Sequence, residues 1–390
     1  MRAPLRRLLR FLNREAQHLA YNRQRVGAVG MPVVFQLELT NHCPMTCQMC
    51  PRTHRMTRPL GYMEPALYRR IVDQAGRTTS RMFLHHFGDS LLHPQLGELI
   101  RYAGERGIRT YLSANPVLLT ESRVRALVES GLHELVLSLD GVTGETSAAV
   151  RGRAAQNVAL AEERIHALIE HRRRAGAERP AIVLQIVRQR QNVHEVDAWL
   201  AQWKGVRGLS RVKVKSYVAW DGREEKINRL RLDPEPDPAA LVCEKPWTSV
   251  TILWDGRVVP CCFDYDGILT LGNAAEQSLD EIWRGEAMAR LRRRHRDGDL
   301  GGVPLCEKCR DKEGYPVRKW YYPLNRLFQS RSPLGSEWTP PRLVPLGTGK
   351  RVGPPAPARD GPPLETGSGG FAAHGPSAAE ERRIPGADAE

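Results

Sequence analysis

The chain has 390 residues, eight cysteines and a formal net charge of +14, and this length predicts roughly two structured domains with a sizeable core. No run of 18 apolar residues and no signal peptide is recognisable, so the sequence predicts no membrane-spanning segment. Because 49 of the 58 basic residues are arginines scattered through every segment, we expect no nucleic-acid-binding role. The clustered cysteines predict a cytoplasmic, metal-binding protein.

The first 32 residues form a basic segment, with seven arginines against one glutamate. Residues 1 to 20 place four leucines at helical spacing, which predicts an amphipathic helix: Leu5, Leu8, Leu9 and Leu12. Two interpretations stay open. The helix could make peripheral contact with an anionic membrane surface or an acidic partner, or it could close the bottom of the core domain.

Residues 33 to 216 alternate between short apolar runs and helical stripes, which predicts a parallel α/β sheet. We predict strands over residues 33 to 39, 81 to 86, 108 to 113, 133 to 139, 180 to 187 and 211 to 216. We predict helices over residues 64 to 75, 95 to 106, 121 to 130, 154 to 175 and 193 to 203. Right-handed crossovers would curl the six strands into an open barrel, although periodicity alone does not exclude a flat doubly wound sheet.

Three cysteines follow the first predicted strand, in the sequence LTNHCPMTCQMCPR. Cys43, Cys47 and Cys50 lie within eight residues, in a loop at the carboxyl end of a buried strand, where parallel α/β folds place active sites. Soft thiolates at this spacing suit an iron-sulfur cluster, and three ligands would leave one iron of a 4Fe-4S cube open for chemistry. The alternative is a structural zinc loop, although zinc sites usually use two close pairs.

This CxxxCxxC loop after the first strand of an α/β chain resembles the radical S-adenosylmethionine (SAM) superfamily. The resemblance implies a partial (β/α)6 barrel over residues 33 to 216 and a SAM-binding 4Fe-4S cluster on the three cysteines. It also implies that the reduced cluster cleaves SAM to methionine and a 5'-deoxyadenosyl radical, with an electron from a flavodoxin- or ferredoxin-type donor. The radical would then abstract a hydrogen atom from the substrate.

The resemblance assigns SAM binding to loops that follow the second, third and fourth strands. Gly88 and Asp89 are similar to the loop that receives the methionine amino group, although the family usually has two glycines and a glutamate there. An ordinary strand-to-helix turn is the alternative. Polar residues after the next two strands are similar to those that contact the ribose and the carboxylate of SAM: Ser113, Asn115, Ser138 and Arg151. Arg151 could instead form a solvent-facing ion pair.

The remaining five cysteines follow a charged, proline-containing linker over residues 217 to 242. Their spacing resembles the SPASM or twitch domain of radical SAM enzymes, which we place at residues 243 to 325. The resemblance implies one auxiliary 4Fe-4S cluster with four thiolate ligands: Cys243, Cys261, Cys306 and Cys309. Cys262 is the spare thiol, although it could replace Cys261. A zinc ion in this site is the alternative.

Four cysteine ligands would saturate the auxiliary cluster, which favours an electron-transfer role and a net two-electron oxidation. The cysteine intervals resemble those of aminocyclitol dehydrogenases in this superfamily, so we predict oxidation of a secondary alcohol on a sugar, aminocyclitol or related small molecule. Arg188, Lys215 and Arg223 are candidates for the base that takes the hydroxyl proton. Two other interpretations stay open: a maturase that modifies a ribosomally made precursor peptide, and a non-catalytic iron-sulfur binding module.

Residues 331 to 390 are rich in proline, glycine, alanine and serine and hold few large apolar residues. Such a segment cannot bury enough apolar surface to order itself, so we predict a disordered tail. The predicted fold class is therefore α/β, with a partial (β/α)6 radical SAM barrel, a small cysteine-rich SPASM or twitch domain and this tail.

Overall fold

A computed structural model describes residues 3–232 and 242–309, which lie in one compact unit. The tail predicted for residues 331 to 390 lies outside the described residues, as do the end of the predicted auxiliary domain and part of the predicted linker. Among the residues described, no helix is long and apolar enough to cross a membrane.

The described residues contain nine strands: β1 (Val34–Leu37), β2 (Arg81–Phe83), β3 (Arg109–Ala114), β4 (Glu134–Ser138), β5 (Ala181–Val187), β6 (Arg211–Lys215), β7 (Ser249–Ile252), β8 (Arg257–Val259) and β9 (Gly272–Asn273). They also contain twelve α-helices: α1 (Ala3–Asn22), α2 (Pro51–His54), α3 (Pro65–Ala75), α4 (Leu96–Glu105), α5 (Glu121–Glu129), α6 (Gly144–Arg151), α7 (Val158–Arg174), α8 (Val196–Trp203), α9 (Glu225–Asn228), α10 (Lys245–Thr248), α11 (Leu279–Arg284) and α12 (Glu286–Arg296). All six strands and all five helices predicted for the barrel are present. The helix α6 is an addition, because residues 144 to 151 carry no apolar stripe long enough to reveal it.

The first six strands are parallel and lie in sequence order, β6-β5-β4-β3-β2-β1. A doubly wound sheet would reverse its strand order at a switch point. A sequential order instead places each right-handed crossover on the same face, which is the arrangement that closes into a barrel. The predicted α/β fold with a partial (β/α)6 barrel is therefore confirmed.

Contacts between distant strands show that this sheet curls. Trp220 follows β6, and its ring lies 5.0 Å from the ring of Phe87, which follows β2. The Nε1 of Trp220 also donates to the carbonyl of Met49, after β1, at 2.7 Å. Because β6 is separated from β1 and β2 by three or more strands, these contacts require a strongly curved sheet.

The alternation of side chains along each strand separates a dry face from a polar face. Leu112, Leu135 and Leu184 belong to the large apolar core that also includes the helices. Their neighbours Tyr111 and Gln185 therefore face the inside of the barrel. The polar residues of the strands thus collect inside the barrel, next to the loops at its carboxyl end.

The region after the linker extends the same sheet. β7 pairs in parallel with the free edge of β1, with Val34 opposite Ser249 and Leu37 opposite Ile252. β8 and β9 then add an antiparallel hairpin edge. Pairing β1 on both sides removes an exposed strand edge and joins the two cysteine regions through one strand. The domain boundaries given above stay predictions.

The helix α1 packs its carboxyl-terminal half against the body. The ring of Tyr21 meets that of Trp247 edge-on at 5.8 Å, and its hydroxyl donates to the carbonyl of Val242 at 2.7 Å. Towards the amino end, Arg10 Nη2 donates to the carbonyl of Gly76 at 2.7 Å, just after α3. The helix α1 thus lies across the bottom of the barrel, where the strands begin.

Candidate active site

The cluster loop, residues 40 to 50, brings Cys43, Cys47 and Cys50 together. Burial raises the pKa of Cys43 to about 11 and that of Cys50 to about 12, and the charge of a neighbouring Cys47 thiolate adds to both. Three clustered thiols whose ionisation is suppressed need bound cations before they become thiolate ligands. The donor set therefore fits an iron-sulfur cluster.

The amide of Asn41 fixes the start of the cluster loop. Its Nδ2 donates to the carbonyl of Pro59 at 2.9 Å, and its Oδ1 accepts from the backbone N–H of Gly61 at 2.9 Å. Arg52 Nε donates to the carbonyl of Asn41 at 2.8 Å. Because Asn41 is fully buried, these bonds tie the start of the loop to the chain that follows it.

The far side of the cluster loop rests on α6 and on the chain after β6. The backbone N–H of Gln48 donates to the carbonyl of Val150 in α6 at 3.0 Å. The Trp220 bond to Met49 holds the loop from the other side. Helix α6, which the sequence did not reveal, is thus a support for the cysteines.

Gly88 lies directly beneath the cluster loop. A Cβ atom at this position would lie 2.2 Å from the carbonyl oxygen of Thr40 and 2.6 Å from the Cα atom of Asn41. Only glycine permits this approach. The close approach observed is to protein backbone, and the predicted contact of Gly88 with the SAM amino group stays a prediction.

The carboxylate of Asp89 joins two loops at the carboxyl end of the barrel. Its oxygens accept from the backbone N–H groups of Leu91 at 3.1 Å and Asn115 at 2.8 Å. Burial raises the pKa of Asp89 to about 6. The sequence interpretation assigned this carboxylate to the SAM ammonium, and in the structure both of its oxygens also position backbone.

The other residues proposed for SAM binding lie at the same end of the sheet. The Oδ1 of Asn115 accepts from the backbone N–H of Val117 at 3.0 Å. The Oγ of Ser138 accepts from Gln185 Nε2 at 2.8 Å. Ser113 is half-buried on the inner side of β3. Their roles towards SAM stay predictions.

Arg151 forms an ion pair with Asp140, but the pair does not face solvent. The Nε of Arg151 bonds to Asp140 Oδ2, and its Nη1 lies 3.8 Å from the sulfur of Cys47. Burial lowers the pKa of Arg151, but Asp140 and Cys47 raise it more strongly, so the pKa lies above its usual value. A permanent positive charge therefore lies beside a cluster cysteine, and the predicted pairing of Arg151 with the SAM carboxylate stays a prediction.

A buried carboxylate that the sequence interpretation missed lies at the end of β1. Glu38 is fully buried and accepts two bonds from Arg58, at 2.8 and 2.7 Å. Its Oε1 also lies 3.2 Å from His86 Nδ1, and the backbone N–H of Trp254 donates to Oε2 at 3.2 Å. Burial disfavours the charge, but His86 and Arg58 lower the pKa of Glu38. A charged residue within an apolar strand was the signal that could have identified it.

The partners of Glu38 continue into the auxiliary region. Arg58 Nε donates to the carbonyl of Tyr265 at 2.6 Å, and His86 Nε2 lies 2.9 Å from the carbonyl of Cys262. We call Glu38, Arg58 and His86 the Glu38 bracket. It links the cluster loop, the loop after β2 and the auxiliary cysteines through buried bonds.

Four auxiliary cysteines line one cavity, which has otherwise mostly apolar walls: Cys243, Cys261, Cys306 and Cys309. Lys245 and His295 are the other polar side chains in the wall. The backbone N–H of Phe263 lies 3.4 Å from the sulfur of Cys261, a contact that stabilises a thiolate. Four sulfurs around a dry cavity fit a four-thiolate iron-sulfur cluster.

Cys262 does not line this cavity. A hydrogen bond with Cys262 is the main cause that raises the pKa of Cys261, followed by burial. The carbonyl of Cys262 points to His86. The geometry therefore favours Cys261 as the ligand, and the assignment of the ligand set stays a prediction.

The three candidate bases lie in two places. Arg188 follows β5 and Lys215 ends the neighbouring strand β6. The backbone N–H of Arg188 donates to the carbonyl of Lys215 at 2.9 Å. Arg223 instead pairs with Asp221 at 2.8 Å, and Tyr265 donates to the same carboxylate at 3.2 Å. Lys215 belongs to the inner face of the barrel, whereas Arg223 lies towards the auxiliary region.

His85 is a further titratable group on the inner face, two residues after β2. Burial lowers the pKa of His85 to about 4, and the ammonium of Lys215 lowers it too. Its Nδ1 has no hydrogen-bond partner in the described part of the chain. Strand alternation could have identified it, because Met82 and Leu84 face the helices, and His85 must face the other way.

Both cysteine groups lie in regions that match known protein families. The radical SAM superfamily matches residues 37–193, and the SPASM iron-sulfur cluster-binding domain matches residues 243–310. The chain belongs to the radical SAM superfamily. The predicted family and SPASM extension are confirmed. The radical SAM domain binds SAM and a 4Fe-4S cluster, and the SPASM domain binds an auxiliary iron-sulfur cluster.

Curated relatives of this radical SAM chain differ in the reactions for which they are named. The tungsten-containing aldehyde ferredoxin oxidoreductase cofactor-modifying protein of Pyrococcus furiosus is 23% identical, over 64% of this chain and 80% of that protein. The S-adenosyl-L-methionine-dependent 2-deoxy-scyllo-inosamine dehydrogenase of Niallia circulans is 22% identical, over 71% of this chain and 92% of that protein. The PqqA peptide cyclase of Gluconobacter oxydans is 24% identical, over 72% and 84%.

Solved structures support the fold. The structure of BtrN in complex with AdoMet and 2-DOIA has a TM-score of 0.51 and 18% identity, and the match covers 75% of this chain and 98% of that one. At this identity the similarity establishes the shared fold.

A glycine pair tests the support of the cluster loop. Gly88→Ala should lower the free energy of unfolding by about 1–3 kcal/mol, because its Cβ would overlap the Thr40 carbonyl. Gly104→Ala is the matched control: it lies in α4 with open space around it and should be neutral or stabilising. Denaturant unfolding of both variants is the measurement, and equal stabilities would contradict the proposed close packing.

Iron content tests the two cysteine groups. The reconstituted protein should bind about eight irons, and the Cys43, Cys47 and Cys50 triple alanine variant should keep about half. The Cys306→Ala and Cys309→Ala double variant, which keeps only two ligands of the auxiliary set, should also lose about half, whereas Cys262→Ala should keep all eight. Metal analysis is the measurement, with circular dichroism to check folding, since cluster binding can stabilise its domain. Full iron in the Cys306 and Cys309 double variant, or loss in Cys262→Ala, would refute the ligand assignment.

Proposed function

We propose that this radical SAM enzyme oxidises a secondary alcohol on a sugar, aminocyclitol or similar small molecule to a ketone. The observation that carries the proposal is the auxiliary cavity with its four cysteines. Four thiolates would saturate a cluster there, so it would have no free iron for substrate and would suit electron transfer. The similarity to the 2-deoxy-scyllo-inosamine dehydrogenase supports the same substrate class.

The oxidation removes a hydrogen atom, a proton and an electron from one alcohol. When bound, SAM and its cluster supply the 5'-deoxyadenosyl radical that takes the hydrogen atom, and the auxiliary cluster supplies an acceptor for the electron. The protein must therefore provide a place for the alcohol and a group for the hydroxyl proton. We assign both to the inner face of the barrel.

The inner face offers a half-buried, mixed surface below the cluster loop. Phe83 and Tyr111 pack with ring centroids 5.2 Å apart, and both rings are partly accessible. Lys213 and Lys215 project from β6 on the same face, since Val212 and Val214 pack on the helices. Rings and ammonium groups together suit a hydroxylated ring, which has apolar faces and polar edges.

His85 is the proton acceptor that this surface provides. An arginine guanidinium does not lose its proton in proteins, so Arg188 and Arg223 are poor bases. A lysine is also protonated at neutral pH unless its pKa is lowered. His85 is neutral at pH 7 because its pKa is about 4, so its free Nδ1 can accept a proton. Burial keeps His85 neutral, and the ammonium of Lys215 adds to this effect.

The pH dependence of alcohol oxidation separates His85 from Lys215. A base with a pKa of about 4 is fully unprotonated above pH 6 and gains a proton only as the pH falls towards 4. The oxidation rate should therefore be flat between pH 6 and 8. A rate that rises tenfold per pH unit in that range would instead identify a lysine base.

The variant His85→Gln complements the pH profile. It removes the acceptor but keeps a similar size, so alcohol oxidation should fall by about 10²-fold or more. Its iron content should stay at the parent value, which shows that both clusters are in place. Oxidation at the parent rate in His85→Gln would exclude the histidine.

A peptide maturase is the second candidate function, and the similarity to PqqA peptide cyclase favours it. Both functions begin with hydrogen abstraction, and they differ in the substrate that donates the hydrogen and in the product that its radical forms. The substrate therefore decides between them.

Deuterium transfer identifies that substrate. We would incubate the reconstituted enzyme with SAM and dithionite, adding either aminocyclitols deuterated at the carbinol carbon or a deuterated PqqA-type peptide. Deuterium in 5'-deoxyadenosine together with a ketone product supports alcohol oxidation. Transfer from the peptide alone would replace the proposal with the maturase. Absence of 5'-deoxyadenosine with every substrate, where a known radical SAM enzyme works, would favour a non-catalytic iron-sulfur module.

A further inference from the structure

The first half of α1 carries an unusual concentration of exposed apolar side chains. Ten large hydrophobic residues are exposed in the described part of the chain, and half of them lie within eight residues of this helix: Leu5, Leu8, Leu9, Phe11 and Leu12. These five side chains are 39–53% exposed, and the four leucines recur at helical spacing. They form one stripe on the outer surface, which we call the leucine stripe.

Two arginines determine which side of the helix faces outwards. Arg6 Nη1 donates to the carbonyl of Arg106 at 3.2 Å, and Arg10 donates to the carbonyls of Gly107 at 2.9 Å and Gly76 at 2.7 Å. These carbonyls follow the carboxyl ends of α4 and α3, where helix dipoles favour cations. Because both arginines point into the body, the leucine stripe is held away from it.

Side-chain hydrogen bonds anchor the second half of α1 to the chain that follows it. Asn13 Nδ2 donates to the carbonyl of Met31 at 2.9 Å, and Gln17 Nε2 donates to the same carbonyl at 3.0 Å. Asn13 and Gln17 are buried. The leucine stripe is therefore displayed by an anchored helix rather than by a fraying end.

Arginines at the start of the barrel strands lie at the same end of the molecule as the leucine stripe. Three barrel strands begin with an arginine at this end, Arg81, Arg109 and Arg211, and Arg211 pairs with Glu134 at 3.6 Å. Arg109 and Arg81 lie close enough to His133 to help lower its pKa, after burial. Arg109 also lowers the pKa of Arg10, after burial and Arg6. The exposed Arg109 thus places a cation near Arg10 and the leucine stripe.

We infer that the leucine stripe binds the surface of an anionic phospholipid bilayer. The stripe would enter the acyl boundary while Arg7 and Arg109, which are exposed, meet the phosphates. Phosphates of a nucleic acid would attract the arginines but leave the leucines in water. A bilayer satisfies both halves of the surface.

This arrangement leaves the active site free. The cluster loop lies at the carboxyl ends of the strands, whereas α1 crosses the end where they begin. A bound bilayer would therefore cover the bottom of the barrel, and small molecules could still reach its mouth from the aqueous side.

Vesicle sedimentation with the full chain tests the inference. We expect binding to vesicles that contain phosphatidylglycerol and weak binding to pure phosphatidylcholine. Leu8→Ser with Leu12→Ser should weaken binding more than about tenfold, since each leucine loses its apolar burial. Arg7→Glu, as a separate variant, should also weaken vesicle binding at low salt and should reduce the dependence of binding on salt concentration.

Ile268→Ser is the matched control, because Ile268 is 43% exposed but lies outside α1. It should bind vesicles like the parent. Equal binding by the double serine variant, or no binding by the parent, would overturn the inference. Sedimentation velocity without lipid tests whether a second copy of the chain binds the leucine stripe instead. If the parent self-associates, the double serine variant does not, and the parent does not bind vesicles, the stripe is assigned to a second copy. Circular dichroism confirms that α1 remains folded in each variant.

Discussion

The buried ion pair between Glu38 and Arg58 is the constraint on which the site depends. The carboxylate is fully buried and the guanidinium is 3% exposed, so removal of one partner would leave an uncompensated charge, at a cost of about 3–5 kcal/mol. Glu38 belongs to the chain just after β1, and Arg58 reaches it from beyond the cluster loop. The pair therefore closes the loop that carries the three cysteines and fixes its two ends relative to the barrel.

The same bracket extends to the second cysteine group, so the two metal sites are mechanically connected. β1 pairs with β2 on one side and β7 on the other, and His86 and Arg58 reach the carbonyls of Cys262 and Tyr265. Buried hydrogen bonds are strong constraints because the groups have no water to replace a lost partner. In the proposed oxidation, electron transfer from the substrate to an auxiliary cluster would depend on such a fixed separation.

Several residues proposed for SAM binding also build the protein itself. Gly88 packs on Thr40, Asp89 bonds to Asn115, and Arg151 pairs with Asp140. These side chains preorganise the loops at the carboxyl end of the sheet, which lowers the entropic cost of binding a cofactor there. A loss of SAM binding on mutation would therefore report either a lost contact or a displaced loop.

The sequence by itself determined the cysteine groups, the order of the six barrel strands and of five helices between them, and the family, because thiol spacing and apolar periodicity are local properties. The barrel curvature, the pairing of β7 with β1, and the convergence of Glu38, Arg58 and His86 were decided only by the tertiary structure, since they join residues far apart in the chain. His85 shows the same limit. Its position after β2 is readable from alternation, but its lowered pKa depends on burial and on Lys215, which reaches it only because the sheet curls.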